Sequence, residues 1–205
     1  MHEVQHEFVH VDKGFFYTTK ELLIRPGHSI REYIMESRYR HFKPIAFLFI
    51  CSVIYTFLDQ KIGVKPPVQT LEGNVGKMLY WISENYSYAN LVEIFFIGLF
   101  VCLFFRRKGF NYFENIVLLC YVTGFAMLIG VLFMIAGYVF KSETITSYYP
   151  WILFLYIVWA IGQFYDHRNA VSYLKALLAY VVGFFTFVIL SIILAMVLEK
   201  AGVIF

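Results

Sequence analysis

Three histidines at four-residue spacing, His2, His6 and His10, are the first groups in the chain whose types and spacing suit chemistry. On a helix they would line one face, and neutral imidazoles one turn apart can share a metal ion. Titrating near neutrality, they would equally form a proton-sensitive row. Glu3, Glu7 and Asp12 lie near them, but no fourth ligand is specified. The plainer expectation is a row facing water or lipid headgroups, with no metal and no other cofactor.

A second set is cationic. Arg25, Arg31, Arg38, Arg40 and Lys43 crowd the stretch RPGHSIREYIMESRYRHFKP just ahead of the first long apolar run. Cations near an anionic membrane surface contribute about 1 kcal/mol each, so these five are the candidate lipid- or partner-binding residues. A third set, Asn90, Glu93 and Gln163, is polar within apolar runs. Such groups at membrane depth mark a pathway or a bond between helices. For Glu93, near the outer end of its run, interfacial placement is the simpler expectation. Catalytic residues are not expected. The sequence has no HExxH, no GxSxG, no phosphate-binding glycine loop and no intramembrane aspartate pair. Without a nucleophile or metal beside a base, the usual chemistry has no parts. Cys51, Cys102 and Cys120 all sit in apolar runs. An odd number without CxxC argues against a disulfide framework or zinc ribbon and for small buried side chains.

The elements that would position these residues follow from composition. Sixty per cent of the chain is hydrophobic and 15% charged, against roughly a quarter charged in soluble domains. A net charge of +3 is too mild to indicate nucleic acid. The apolar residues fall into blocks, and crossing a bilayer takes about 20 of them in a helix. Five blocks are read as spans: 44–58, short but extended by Phe42 and the snorkelling Lys43 and Lys61, then 88–105, 115–140, 149–165 and 174–198. Helices are expected, because an open strand would leave its amides unsatisfied in lipid. No apolar stretch precedes Pro44, so the first block is expected to act as an uncleaved signal anchor. The expected architecture is therefore all-α. Residues 1–43 form a cytoplasmic amphipathic and basic segment, and 44–205 a five-span bundle with an outer interfacial segment at 59–87. Within that segment KPPV (65–68) cannot be helical throughout, whereas NVGKMLYWISENY (74–86) suits an interfacial helix.

Orientation follows from the cations. The segment to Lys43 holds seven Lys or Arg, the connector 106–114 three, and Arg168 and Lys175 make twelve, against five on the other side. By the positive-inside rule the N-terminus is inside and the C-terminus outside. In the N-terminal segment Phe8, Val11, Phe15 and Leu22 share a helical face, with Phe16 and Leu23 beside it. RPG at 25–27 is expected to break that helix. Ser29 and Glu32 have capping-box spacing, so a second helix is expected over about 30–42, with Glu36 and Arg40 paired one turn apart. In the third block Ala126, Gly130 and Gly137 form a small-residue face for close packing within or between subunits. CYVTGF (120–125) and AYVVGF (179–184) occupy similar places in two blocks and suggest tandem hairpins.

The run HEFVHVDKGFFYTTKELLIRPGHSIREYIMESRYRHFKPIAFLFI (6–50) resembles the signature of a bacterial multi-pass family known only as a domain of unknown function, common in Bacteroidetes. Its members carry a similar His…DKG, KELL, RPG, IREY and R…KP series. Many begin with a CxxC zinc ribbon that this chain lacks, so nothing attached to the ribbon transfers. The resemblance implies a multi-pass protein of the bacterial inner membrane and supplies no activity. Three functions are weighed. The first expectation is a membrane accessory or regulatory protein whose basic N-terminal helices dock anionic lipid or a cytosolic protein. The alternative is an oligomeric channel, pore or small transporter; membrane accessories of RNA-targeting defence systems are similar in size and apolar character. An enzyme is not expected. A homo-oligomer is expected.

Overall fold

The structure, a computed structural model, describes residues 14–36, 40–62 and 73–200. All regular structure among the described residues is helical: α1 (14–24), α2 (Pro26–Met35), α3 (Pro44–Ile62), α4 (Gly73–Glu84), α5 (Tyr86–Phe104), α6 (Tyr112–Phe140), α7 (Glu143–Asp166) and α8 (Ala170–Lys200). A 3-10 turn, Arg106–Lys108, joins α5 to α6 and closes on Gly109 at φ 83°. The histidine row, Phe8, Val11, KPPV and Arg38 lie outside the described residues.

Local chemistry moves two expected boundaries. RPG does not separate helices by breaking both. Arg25 alone leaves the helical region (φ −147°, ψ 63°), and Pro26 then starts α2. Proline suits a first helical position because its missing N–H would have had no partner and its φ is already set. Ser29 is thereby drawn inside the helix and cannot cap it, so the Ser29–Glu32 capping box does not form. α2 also ends at Met35, so it starts four residues before and ends seven residues short of the expected helix over about 30–42, and Glu36 and Arg40 do not share it. The capping box that does form opens α6. Asn111 Oδ1 accepts from the Glu114 amide at 3.0 Å, and Glu114 Oε2 accepts from the Asn111 amide at 2.7 Å.

The helix directions follow from side-chain registers. Phe47 and Leu48 of α3 meet Gly124 of α6, and Tyr55 meets Gly130, so these two helices run the same way. On the other side of α6, Tyr156 of α7 rests on Phe125 and Leu153 reaches Gly130, so α7 runs back. Tyr173 of α8 packs over Gly162 and Tyr180 meets Phe154, so α8 turns again. Two parallel helices in succession require a return between them. α5 supplies it: its end brings Phe105 to stack on Tyr165 at the end of α7, with ring centroids 3.7 Å apart. α4 packs on α5 and α8.

Three helices are long and apolar enough to cross a membrane by length and composition: α3, α6 and α8 up to Leu198. The expected count of five is corrected to three on that measure. The apolar part of α5, Tyr88–Phe104, falls short in length. α7 is diluted by Tyr149, Pro150, Trp151, Tyr156, Trp159 and Gln163. α6 is the central helix, with Leu118, Leu119, Tyr121, Val122 and Met127 almost wholly buried. Around it α3 exposes Ile45, Phe49, Val53 and Phe57, one per turn, and α8 exposes Leu178, Val182, Phe185, Ile189 and Ile193. Apolar faces of this extent do not persist against water.

Small residues set the helix spacing. A Cβ on Gly124 would lie 3.0 Å from the Phe47 ring and 3.2 Å from the Leu48 Cα, and one on Gly183 would lie 2.7 Å from the Ile97 Cα. The two glycines of the CYVTGF and AYVVGF segments thus each admit a neighbouring helix, α3 and α5 respectively. Ala126 and Gly137 are buried on α6 with Gly130. Replacing Gly124 by leucine should destabilise the bundle by about 1–3 kcal/mol through overpacking. Thermal unfolding in detergent, followed by tryptophan fluorescence, checks this; an unchanged midpoint would refute the α3–α6 contact.

Candidate functional site

α1, α2 and the residues 40–43 form a collar over one end of the bundle, where α3 and α6 begin and α7 ends. The collar is fastened by side chains that satisfy main-chain groups left over at helix ends, four at each terminus. Tyr156 donates to the Leu22 carbonyl near the end of α1 (3.0 Å). The Gly27 amide, in the first turn of α2, donates to Gln163 Oε1 (2.8 Å). Arg31 Nη2 donates to the Tyr165 carbonyl in the last turn of α7 (3.2 Å). Ahead of α3, the Phe42 amide donates to Thr18 Oγ1 (2.9 Å), and its carbonyl accepts from Tyr121. In apolar surroundings each of these groups, left unmade, would cost about 1–3 kcal/mol.

Gly27 permits the closest approach. A Cβ there would lie 2.2 Å from the Phe164 amide nitrogen and 2.4 Å from the Gln163 carbonyl carbon, both main chain and unable to yield. Beside it, Ser29 Oγ and His41 Nε2 are 2.8 Å apart, and the imidazole sits edge-on to Tyr17 and Tyr33. A Ser–His pair invites a nucleophilic reading, but Ser29 has 0% and His41 7% of its surface exposed. A substrate has no access to that hydroxyl.

The predicted cations divide. Arg31 is half-buried, its guanidinium over Phe110 (5.6 Å) and Phe164 (5.7 Å), and it fastens the collar from within. Arg25 is exposed and paired with Glu21 at 2.6 Å; the hydrogen bond and charge of Glu21 raise its pKa above the usual value. Arg40 and Lys43 are exposed, as are Lys20, Arg106, Arg107, Arg168 and Lys175 at the same end. Lys108 meets Asp166 at 3.3 Å, joining the α5–α6 turn to the end of α7. That hydrogen bond, with a weaker one from the Arg168 amide, holds the Asp166 carboxyl below the ordinary carboxylate value.

The predicted polar trio is not one site. Gln163 is engaged at the collar. Asn90 and Glu93 are buried on α5, each 7% exposed, so the Glu93 side chain lies between helices. Among the described residues, no three His, Cys, Asp or Glu are grouped to hold a metal. Gly27, Thr18, Ser29 with His41, Tyr121 and Tyr156 were not foreseen as contacts. Only Gly27 left a signal, a glycine straight after the proline that starts a helix.

Residues 12–56 match a family described as Protein of unknown function (DUF3667). That stretch covers α1, α2 and most of α3, the collar together with the helix it leads into. No curated protein and no solved structure matches the chain.

Gly27→Ala is expected to lift the collar while the bundle still unfolds cooperatively. Limited trypsin cleavage at Arg25 and Arg31 should accelerate about tenfold or more, as for a locally destabilised unit; unchanged cleavage would disprove the contact. The Lys108–Asp166 clasp has a pH signature. Because the folded pKa of Asp166 is depressed, its contribution is present above the ordinary value of about 4 and lost as pH falls through the folded value. Lys108→Met should move the Asp166 midpoint upward in a carboxyl-carbon NMR titration; a midpoint that stays put would show the clasp is not made.

Proposed function

We propose that the protein is an integral membrane accessory protein whose collar docks on anionic lipid headgroups. The observation that carries this reading is the meeting of two surfaces at one end. Exposed cations at Lys20, Arg25, Arg40, Lys43, Arg106, Arg107, Arg168 and Lys175 surround exposed apolar side chains at Phe16, Leu23 and Ile24 of α1. Phe16, Lys20, Leu23 and Ile24 recur on one helical face. A face of that kind lies in the headgroup layer, its rings in the acyl boundary and its cations against lipid phosphate.

In this reading the collar is cytoplasmic and the membrane is the inner membrane of a bacterium. Twelve of the seventeen Lys and Arg, Arg38 among them, fall in the segments joined at the collar, which agrees with the positive-inside rule. The parallel α3 and α6 require α5 to return between them, and α7 returns from α6 to α8. The fastening of the collar to three helix ends makes it a rigid reporter of the state of the bundle, which suits a regulatory role. The other reading, an oligomeric channel or small transporter, draws on a single observation, the buried Glu93.

Native mass spectrometry from mixed micelles tests the docking. The protein should retain phosphatidylglycerol in preference to phosphatidylcholine. Changing Lys20, Arg25, Arg40 and Lys43 together to glutamine should cut that preference at least about tenfold, at up to 1 kcal/mol per cation. Equal retention of both lipids would sink the lipid reading and turn attention to a cytosolic protein on the same face.

A further inference from the structure

Glu93 is a carboxylate where nothing in the collar reading needs one. It lies on α5 facing α8, with Asn90 one turn before it, and both are more than nine-tenths buried. The Tyr180 hydroxyl of α8 hydrogen-bonds the carboxyl, while Oε1 has no hydrogen-bond partner. One turn along, the Ile97 backbone meets Gly183 so closely that no side chain fits between, and Ile94, Ile97 and the Phe96–Phe187 pair are apolar. Of the helices packed on α5, α8 contributes Tyr180, and no charged group of α3, α4 or α6 among the described residues acts on the carboxyl. An ionised carboxylate with a bare oxygen in such surroundings is not tolerated; it takes a proton or meets a cation.

We propose that Glu93, with Asn90 and Tyr180 beside it, is a binding site inside the bundle for one small monovalent cation, a proton or a sodium ion. The tight approach of α5 to α8 excludes an organic cation. A divalent ion would want further carboxylates, and among the described residues no three His, Cys, Asp or Glu are grouped to hold one. The proton and sodium share one chemistry, capture by a carboxyl oxygen that protein groups leave open. The site is distinct from the collar, and its failure would leave lipid docking standing.

The probe is dicyclohexylcarbodiimide on the full chain in phosphatidylcholine vesicles. The carboxylic acid adds across one C=N bond: the acid proton goes to nitrogen and the carboxyl oxygen to the central carbon. The O-acylisourea then rearranges to a stable N-acylurea, so only a carboxyl that can hold a proton in apolar surroundings is marked. Peptide mass spectrometry should find the adduct on Glu93 and not on exposed Glu36, and Glu93→Gln should remove it. The assignment is made on the wild-type peptide, so it stands even if the variant misfolds. Sodium chloride replacing choline chloride should suppress labelling about tenfold for a sodium site. For a proton site, sodium has no effect and labelling falls about tenfold or more between about pH 6 and pH 8.5. Absence of a Glu93 adduct overturns the proposal. So does labelling that neither sodium nor pH alters, because it would show a permanently protonated structural acid.

Discussion

The absence of a side chain at position 27 is the constraint on which the collar depends. With the Gly27 main chain against the Phe164 amide, the first turn of α2 comes within reach of Gln163. That contact sets α2 on the end of α7, which carries Arg31 between Phe110 and Phe164 and onto the Tyr165 carbonyl. It also turns Ser29 inward to His41, which holds the segment leading into α3. Any larger residue at 27 would separate main chains, not side chains, and the polar contacts around it would lengthen together. Hydrogen bonds to helix ends are worth little in water, but where water is excluded their loss is felt in full.

The same need to satisfy main-chain groups accounts for where the polar side chains sit. Gln163, Tyr156, Tyr121, Thr18 and Arg31 all serve helix ends or the turn before α3. Asn115, fully buried, accepts from Tyr165 in the same region. The heavy use of tyrosine thus has a structural reason beyond an interfacial belt. A phenol delivers one donor at the end of a large apolar ring, so it can cross a packed interface and still bond a carbonyl. Phenylalanine would fill the space and leave the carbonyl bare.

How much of this was legible in the sequence depends on whether the signal was local. Apolar block lengths marked α3, α6 and α8, because hydropathy summed over a span survives ignorance of neighbours. The small residues of α6 were legible for the same reason, although Gly124, the one nearest α3, was seen only as part of a repeat. Capping was legible in type and mistaken in place. Ser29–Glu32 and Asn111–Glu114 have the same spacing, and only the proline at 26 distinguishes them by starting the helix early. Not legible were the long-range bonds. The Gly27–Gln163 pair is 136 residues apart, and nothing in either neighbourhood points to the other. Gln163 and Glu93 looked alike as isolated polar residues in apolar blocks, yet the fold gives one a main-chain amide and leaves the other with an open oxygen.

That difference separates the two parts of the molecule. In the collar, Gln163, Tyr156, Arg31, Thr18 and Tyr121 bond main-chain groups at helix ends or ahead of α3. Ser29 with His41 and Asn115 with Tyr165 bond each other, so the contacts there explain themselves as architecture. Glu93 completes nothing of the kind. It sits along α5 and not at its end, where main-chain groups are already paired within the helix. Glutamine or leucine would pack there without the penalty of a buried charge. The proposed cation site gives this buried carboxyl, with its open Oε1, a purpose beyond holding α5 to α8.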